Sequence, residues 1–416
     1  MARNLPSFLP STRREFLRYS AGGLRLLAFS RFAPSFLVNS TLAAAPAPET
    51  GRTILVLVQL AGGNDGLNTL VPYEDANYYR LRPTLGLPKT QVLPVSDTLG
   101  LHSACDALRR ELHDGKLAIV QNVGYPNPNR SHFRSTEIWE SASRSNEFLP
   151  TGWVGRFFDN ACSGQPAETG DPVGVHVSDA LPPSFVGAHE HPTFGMQPSL
   201  RPHRENEENR RLLTALAHGE DGGGESETFL SHTLLDALVT DRKVQDIIGG
   251  YRPGAAYPEN NFANSLRNIA ALIAAGLPTR VYFASLGGFD THGNQAGQHA
   301  KLLSTLSDGL AAFQRDLEAH KLDGQVLTMT FSEFGRRPSE NESHGTDHGT
   351  AAPLFVMGSQ IKAGLHGTTP SLNLAKNEDL TFGTDFRRVY ASVLDRWLGC
   401  PSEAVLGGKF EPLAIL

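Results

Sequence analysis

Short apolar runs alternate with amphipathic segments along most of the chain after residue 50. The first run, Thr53 to Leu60, is continuous and rich in β-branched residues, which predicts a strand buried on both faces. The same pattern predicts further strands at 117–121, 173–177, 280–286, 325–331 and 353–357, and helices at 102–113, 131–143, 260–275, 296–320 and 385–398. Thr384 is the expected N-cap of the last helix. Strands that alternate with helices predict an α/β protein, with a mostly parallel central sheet and helices on both faces.

One stretch, residues 180–260, departs from this pattern. It is rich in Pro, Glu, Asn and Gly and contains two helical segments, near 204–218 and 227–247. We interpret it as a cap inserted into the main fold, so that residues 51–416 form a single domain. The chain has no internal repeat at periods of about 20 to 50 residues.

The N-terminus predicts an export signal. Arg13 and Arg14 lie in the sequence STRREFLR and precede a weakly apolar stretch, residues 21–45. This arrangement resembles a twin-arginine signal peptide, whose passenger folds before the Tat translocase exports it. Two further arginines make the stretch a poor transmembrane helix, although an amphipathic anchor that stays attached is an open alternative. We assign residues 1–47 to the signal and expect a periplasmic or secreted protein without a stable membrane span after cleavage.

Composition excludes some classes of function. The 416 residues include 37 Lys+Arg and 43 Asp+Glu, and this mildly acidic balance argues against a general nucleic-acid binder. Three cysteines allow one disulfide at most and have no metal-binding spacing. The unusual feature is the set of 15 histidines, whose positions matter more than their number.

Candidate metal ligands lie beside the predicted strands, at the edge of the sheet where α/β proteins bind ligands. They are Asp65 in GGNDG, Asp290 and His292 in GGFDTHGN, and Asp347 and His348 in GTDHG. Carboxylates and imidazoles that converge suit Zn²⁺ or Mn²⁺. Asp290 and His292 share one face of an extended backbone, whereas the adjacent Asp347 and His348 diverge and could serve two neighbouring ions. Each group could instead belong to a turn or loop that binds no metal.

The candidate nucleophile is Ser131, in NRSHFR at the start of a predicted helix. Unpaired N–H groups and the positive end of the helix dipole favour an anion there. A hydroxyl that touches a divalent ion can lose its proton near neutral pH, and Arg130 and Arg134 could hold a phosphate or sulfate. Ser131 could instead be a plain N-cap residue. His132 could be a ligand, a base or a packing residue.

Two more candidates, Glu333 and Arg336, follow the strand at 325–331 in the sequence SEFGRRP. Arg336 could hold an ester oxygen during the reaction. The two side chains could instead form only a structural ion pair.

The motifs GGND, SHF, GGFDTHGNQ, SEFGRRP and GTDHG, in this order, resemble the domain-of-unknown-function 1501 family of Tat-exported bacterial proteins. The resemblance extends from about Ile54 to Leu398. That family is similar to the alkaline phosphatase and sulfatase superfamily, which includes phosphopentomutase and cofactor-independent phosphoglycerate mutase. The resemblance implies a three-layer alkaline-phosphatase-like fold with a mostly parallel sheet and an inserted cap.

The superfamily pattern also implies roles for individual residues. Members of the superfamily have an early Asp ligand, a nucleophile, an Asp/His pair, an adjacent Asp-His and a final His. The matching residues here are, in that order, Asp65, Ser131, Asp290 with His292, Asp347 with His348, and His366. The usual spacing of the Asp/His pair is DxxxH, whereas Asn294 stands here where that His would be.

These matches imply one or two divalent ions, of zinc, manganese, calcium or magnesium. They also imply an exported hydrolase that uses a metal-activated serine on small anionic substrates, phosphate or sulfate esters. The alternative is a non-catalytic exported module that retains the fold to bind a metal or another ligand.

Overall fold

The first apolar run forms β1, Ile54–Ala61, which lies inside a large sheet. The computed structural model describes residues 52–160, 172–198 and 243–416. The predicted signal segment and most of the predicted cap lie outside these residues, so both assignments stay predictions. The elements given below belong to the larger of two compact units, which comprises Leu42–Ala167, Asp171–Arg201 and Asp246–Leu416.

The other described strands either coincide with the predicted apolar runs or have four residues or fewer and were not predicted. They are β2 Leu70–Val71, β3 Val92–Pro94, β4 Gly100–His102, β5 Leu117–Gly124, β6 Gly174–Val177, β7 Thr193–Met196, β8 Val281–Gly287, β9 Val326–Phe331, β10 Ala352–Met357, β11 Gly364–His366 and β12 Thr384–Asp385. The strands β2, β3 and β4 form a small antiparallel sheet in the order β2-β4-β3, which was not predicted.

The large sheet has the strand order β11-β5-β10-β9-β1-β8-β6-β7, and β12 also pairs with β5. β1 is parallel to both of its neighbours, β8 and β9. β10 is antiparallel to its own neighbours, β9 and β5, while the remaining pairings within the described part of this sheet are parallel. The predicted mostly parallel sheet is therefore confirmed, with β10 as the exception.

The helices include α1 Gly66–Thr69, α2 Ala76–Leu81, α3 Asp106–His113, α4 His132–Ser141, α5 Trp153–Asp159, α6 Asn261–Ala274, α7 Gln295–Ala319, α8 Phe386–Ser392 and α9 Ser402–Leu406. Five of these, α3, α4, α6, α7 and α8, follow predicted amphipathic segments, whereas the short helices α1, α2, α5 and α9 were not predicted. A π-helical turn, Val393–Leu398, continues α8. The expected N-cap of α8 was wrong: Asp385 is the cap, because its carboxylate accepts a hydrogen bond from the Arg387 N–H at 3.0 Å, whereas Thr384 belongs to β12.

Helices cover both faces of the large sheet. On one face, Leu57 of β1 belongs to an apolar cluster that includes Trp139 of α4, Phe157 of α5 and Tyr390 of α8. Val56, which points to the opposite face, is equally buried, and α6 contacts both β8 and α7. The continuous apolar run of β1 is thus explained by burial on two sides.

Among the described residues, no helix combines the length and the apolar character that crossing a bilayer requires.

Candidate metal centre

Several loops meet at one edge of the large sheet. The loops after β1, β8 and β9 leave the carboxyl ends of parallel strands, where α/β proteins place their ligand sites. Asp347 and His348 precede β10, and because β10 runs antiparallel, its start lies at this same edge. The start of α4, which follows β5, brings His132 to the edge as well.

Three imidazoles surround one carboxylate oxygen at this edge. The Oδ1 atom of Asp290 lies 3.0 Å from His292 Nε2 and 3.1 Å from His348 Nε2. It also lies 3.5 Å from His132 Nε2. His132, Asp290 and His348 each offer one ligand atom, and these three atoms lie within 4.8 Å of one another, so a single ion could contact all three. We refer to these four residues, His132, Asp290, His292 and His348, as the ligand cluster.

The other nitrogen of each ring, Nδ1, is held by a hydrogen-bond acceptor. The pairs are His132 with Glu333 Oε1 at 2.8 Å, His348 with the Arg130 carbonyl oxygen at 2.8 Å, and His292 with Asp347 Oδ1 at 3.3 Å. Carbonyl and carboxylate oxygens can only accept, so each Nδ1 carries the proton. This arrangement leaves the three Nε2 lone pairs directed at the Asp290 carboxylate.

Lone pairs that face one another and a carboxylate repel unless a positive charge lies between them. The Nε2 atoms of His292 and His348 are 2.9 Å apart, and His132 Nε2 is buried without a hydrogen-bond partner. The guanidinium of Arg336 supplies one positive charge, with Nη1 3.4 Å from His292 Nε2, and a metal ion held between the three rings could supply the rest. Three imidazoles and one carboxylate form a ligand set that Zn²⁺ and Mn²⁺ accept, and ligand histidines usually donate Nδ1–H to a carboxylate or carbonyl in this way.

Arg336 fixes the central carboxylate. Its side chain is fully buried, and Nη2 lies 2.5 Å from Asp290 Oδ1. Its nitrogens also donate to four main-chain carbonyl oxygens, those of Gly62, Gly63, Phe289 and Thr346. Partial burial would raise the pKa of Asp290, but the hydrogen bond and the charge of Arg336 outweigh it and lower that pKa to about 2.

This geometry does not match the two roles that the sequence suggested for Arg336. Its three nitrogens are engaged within the protein, so the guanidinium is not free to hold an ester oxygen. Its acidic partner is Asp290, while Glu333 accepts hydrogen bonds from His132 and from the Gly62 N–H, the latter at 2.8 Å.

Asp65 lies apart from the ligand cluster. Its carboxylate is fully buried and forms two hydrogen bonds with Arg82, at 2.7 and 2.8 Å, and a third with Gln295 Nε2. Burial favours a raised pKa, but the charge and hydrogen bonds of Arg82 prevail and lower the pKa of Asp65. Since its oxygens are occupied by these donors, we do not include Asp65 in the metal site.

Ser131 stands beside the ligand cluster. It is the N-cap of α4, its hydroxyl makes no capping hydrogen bond, and the residue is exposed. Its neighbours in the chain are His132 and Arg130, the residue whose carbonyl oxygen holds His348. Arg134 points elsewhere: it forms an ion pair with Glu137 at 2.8 Å and donates to the carbonyl oxygens of residues 144, 145 and 147.

His366 and Asn294, two other candidates from the sequence, have partners outside the ligand cluster. His366 lies on the edge strand β11, with Nε2 2.6 Å from the Lys362 carbonyl oxygen. Asn294 is the N-cap of α7 and adopts a left-handed backbone, with φ 47°, and its N–H donates to the Ser343 carbonyl oxygen at 3.0 Å.

The roles of two supporting residues, Asn341 and Gly345, were not predicted, although Gly345 belongs to the GTDHG motif. Asn341 Nδ2 donates to the His292 carbonyl oxygen at 3.0 Å and to Asp347 Oδ1 at 3.1 Å. The hydrogen bond from Asn341, together with that from His292, lowers the pKa of Asp347. Gly345 lies so close to His292 that a Cβ atom there would be 2.3 Å from the His292 carbonyl carbon. An Asn or Gly in a polar loop is too common to predict either role.

The fold and the site thus define an α/β protein with a candidate metal centre at the carboxyl edge of its central sheet. Residues 52–407 match the family described as "Protein of unknown function (DUF1501)". The protein belongs to this family, which confirms the resemblance drawn from its motifs. No curated protein matches the sequence.

Solved structures similar to this chain include the PsFucS1 sulfatase from Pseudoalteromonas sp., the C-terminal periplasmic domain of EcEptC from Escherichia coli in complex with Zn, and an alkaline phosphatase from the Antarctic bacterium TAB5. Their sequence identities are 10%, 11% and 13%, and their TM-scores are 0.37, 0.35 and 0.30. The matches cover 97%, 76% and 74% of this chain and 75%, 75% and 92% of those chains. These similarities are remote, so the activity has to be inferred from the site itself.

Proposed function

We propose that this protein is an exported, metal-dependent hydrolase of phosphate or sulfate esters. The observation that carries the proposal is the ligand cluster, in which three Nε2 atoms are turned toward Asp290 by acceptors on the opposite ring nitrogens. A divalent ion held by these residues would supply a Lewis acid for an ester oxygen. Zinc and manganese suit the nitrogen-rich ligand set better than calcium or magnesium do.

Ser131 supplies the attacking hydroxyl in this proposal. Its side chain is exposed and makes no capping bond, so it is free to meet a substrate. The chain on either side of it is fixed to the ligand cluster, through His132 and through the Arg130 carbonyl oxygen. The unpaired N–H groups at the start of α4 favour negative charge at the same place.

Export is supported by cysteine chemistry as well as by the twin arginines. Cys400 is disulfide-bonded, whereas Cys105 is buried and free. Structural disulfides persist mainly in oxidising compartments such as the periplasm. We therefore propose that the Tat translocase, acting on Arg13 and Arg14, delivers the folded protein to the periplasm or the medium.

A non-catalytic metal-binding module is the second candidate function. The observation that favours it is the engagement of Arg134 and Arg336 by groups of the protein itself. Neither arginine is available to hold an anionic substrate in the way the sequence suggested.

Turnover by the mature protein, loaded with zinc or manganese, separates the two candidates. Phosphate monoesters, phosphate diesters and sulfate esters with a common chromogenic leaving group should include at least one substrate. Ser131→Ala should lower its turnover by at least about 100-fold, because the attacking group is gone, while metal content stays unchanged. Ser304→Ala, which removes a surface hydroxyl on α7, is the matched control and should keep full activity.

Absence of turnover with every ester, in a protein that holds its metal, would favour the binding module. Full activity of Ser131→Ala would assign the attack to another group.

A further inference from the structure

Two arginines beside the ligand cluster share one carboxylate. Arg130 Nη1 lies 3.2 Å from Asp379 Oδ2, and Arg337 Nε lies 3.8 Å from Asp379 Oδ1. The second distance is too long for a hydrogen bond, and both of its atoms are buried without a hydrogen-bond partner. Buried polar atoms normally have hydrogen-bond partners, so the unpartnered Arg337 Nε indicates that Arg337 can donate to a further acceptor.

Both arginines are tied to the ligand cluster through the main chain. The Arg130 carbonyl oxygen holds His348 Nδ1 at 2.8 Å. The Arg337 N–H donates to the Asp347 carbonyl oxygen at 2.9 Å, and the charge of Arg337 helps to lower the pKa of the Asp347 carboxyl group. An anion bound between these arginines would therefore lie next to the proposed metal site.

Solvent can reach both side chains. The side chain of Arg130 is 44% exposed and that of Arg337 is 24% exposed, in contrast to the fully buried Arg336. We propose that Arg130 and Arg337, balanced by Asp379, bind the anionic group of the substrate. This inference rests on the proposed hydrolase function and names the residues that select its substrate.

The charges around the site point to a singly charged ester. Arg130 and Arg337 contribute two positive charges and Asp379 one negative charge, which leaves one positive charge for the substrate. Asp290 is already paired with Arg336, and a divalent ion would be balanced by Glu333 and Asp347. A sulfate monoester and a phosphate diester each carry a single negative charge, whereas a phosphate monoester carries close to two at neutral pH.

The test compares three 4-nitrophenyl esters, namely the sulfate, a phosphate diester and the phosphate monoester, on the metal-loaded protein. Arg337→Gln should lower kcat/KM for the preferred singly charged ester by about 10- to 100-fold, mainly through KM, because one charged hydrogen bond is lost. Arg130→Gln, which keeps the carbonyl that holds His348, should act in the same direction. Arg110→Gln removes an exposed arginine on α3 and should change nothing.

Asp379→Asn provides the opposite test. It raises the charge of the subsite by one, so the ratio of kcat/KM for the phosphate monoester to that for the singly charged ester should rise by about 10-fold. An unchanged ratio in Asp379→Asn, or unchanged KM in both arginine variants, would overturn the proposal.

Calorimetric titration with sulfate and with inorganic phosphate separates this proposal from the proposed function. If the protein hydrolyses no ester, weaker sulfate binding by Arg337→Gln than by Arg110→Gln would still support the subsite. Equal sulfate binding by those two variants would reject it. Circular dichroism shows that each variant is folded before it is compared.

Discussion

At the scale of the residue, the orientation of the imidazoles separates the ligand cluster from an ordinary group of surface histidines. His132 shows this best, because its Nδ1 is held by Glu333 while its Nε2 is left buried and without a hydrogen-bond partner. Glu333 is itself held in place by the Gly62 N–H at 2.8 Å. A ligand that is oriented before the metal arrives loses less freedom on binding.

The role of Glu333 leads to a prediction about metal affinity. Glu333→Ala removes the acceptor that orients His132 and should weaken zinc binding by about 10- to 100-fold. Glu333→Gln keeps an acceptor oxygen and should lose less. Competition with a chelator of known affinity measures the zinc dissociation constant of each variant. Equal affinities of Glu333→Ala and the unchanged protein would show that Glu333 does not orient His132 for metal binding.

At the scale of elements, a buried ion pair connects the loops that carry the site. Asp65 follows β1 and pairs with Arg82, the C-cap of α2. Arg82 also donates to the carbonyl oxygens of Arg337 at 3.0 Å and Pro338 at 2.9 Å, in the loop after β9. The pair therefore supports the elements around the metal centre without belonging to it.

Breaking this pair should cost stability. Arg82→Met leaves the Asp65 carboxylate buried and unpaired, and should lower the free energy of unfolding by about 3 to 5 kcal/mol. The matched control is Lys89→Met, which breaks an exposed pair with Glu74 at 2.6 Å and should cost less than about 1 kcal/mol. Urea unfolding measures the free energy of unfolding of both variants. Equally small decreases would show that the buried pair does not stabilise the fold.

At the scale of the whole molecule, apolar runs in the sequence predicted most of the large sheet. Strands such as β1, β8 and β9 are largely buried on both faces, so their sequences are mostly apolar and recognisable. The direction of β10 could not be predicted, because an apolar run does not indicate whether its strand lies parallel or antiparallel to its neighbours. Strands of two or three residues, such as β2, show no periodicity at all.

The site was predictable to the extent that its residues lie at strand ends. Asp290, His292 and His348 were placed at one edge of the sheet from the sequence, and the structure brings their side chains together. The pairing of Asp65 with Arg82, 17 residues later, depends on where the chain places the end of α2, and no local pattern indicates it. The sharing of Asp379 by arginines from two distant loops is likewise a product of the tertiary fold.

The central claim is that the ligand cluster binds a metal ion, and metal content tests it most directly. Mass spectrometry of the purified mature protein, after exposure to zinc or manganese and removal of the excess, should find about one divalent ion per chain. His348→Ala should hold far less, because a ligand is lost, while His113→Ala, a change at an exposed histidine on α3, should keep the full content. Equal metal content in the two variants, or no retained metal in the unchanged protein, would contradict the claim.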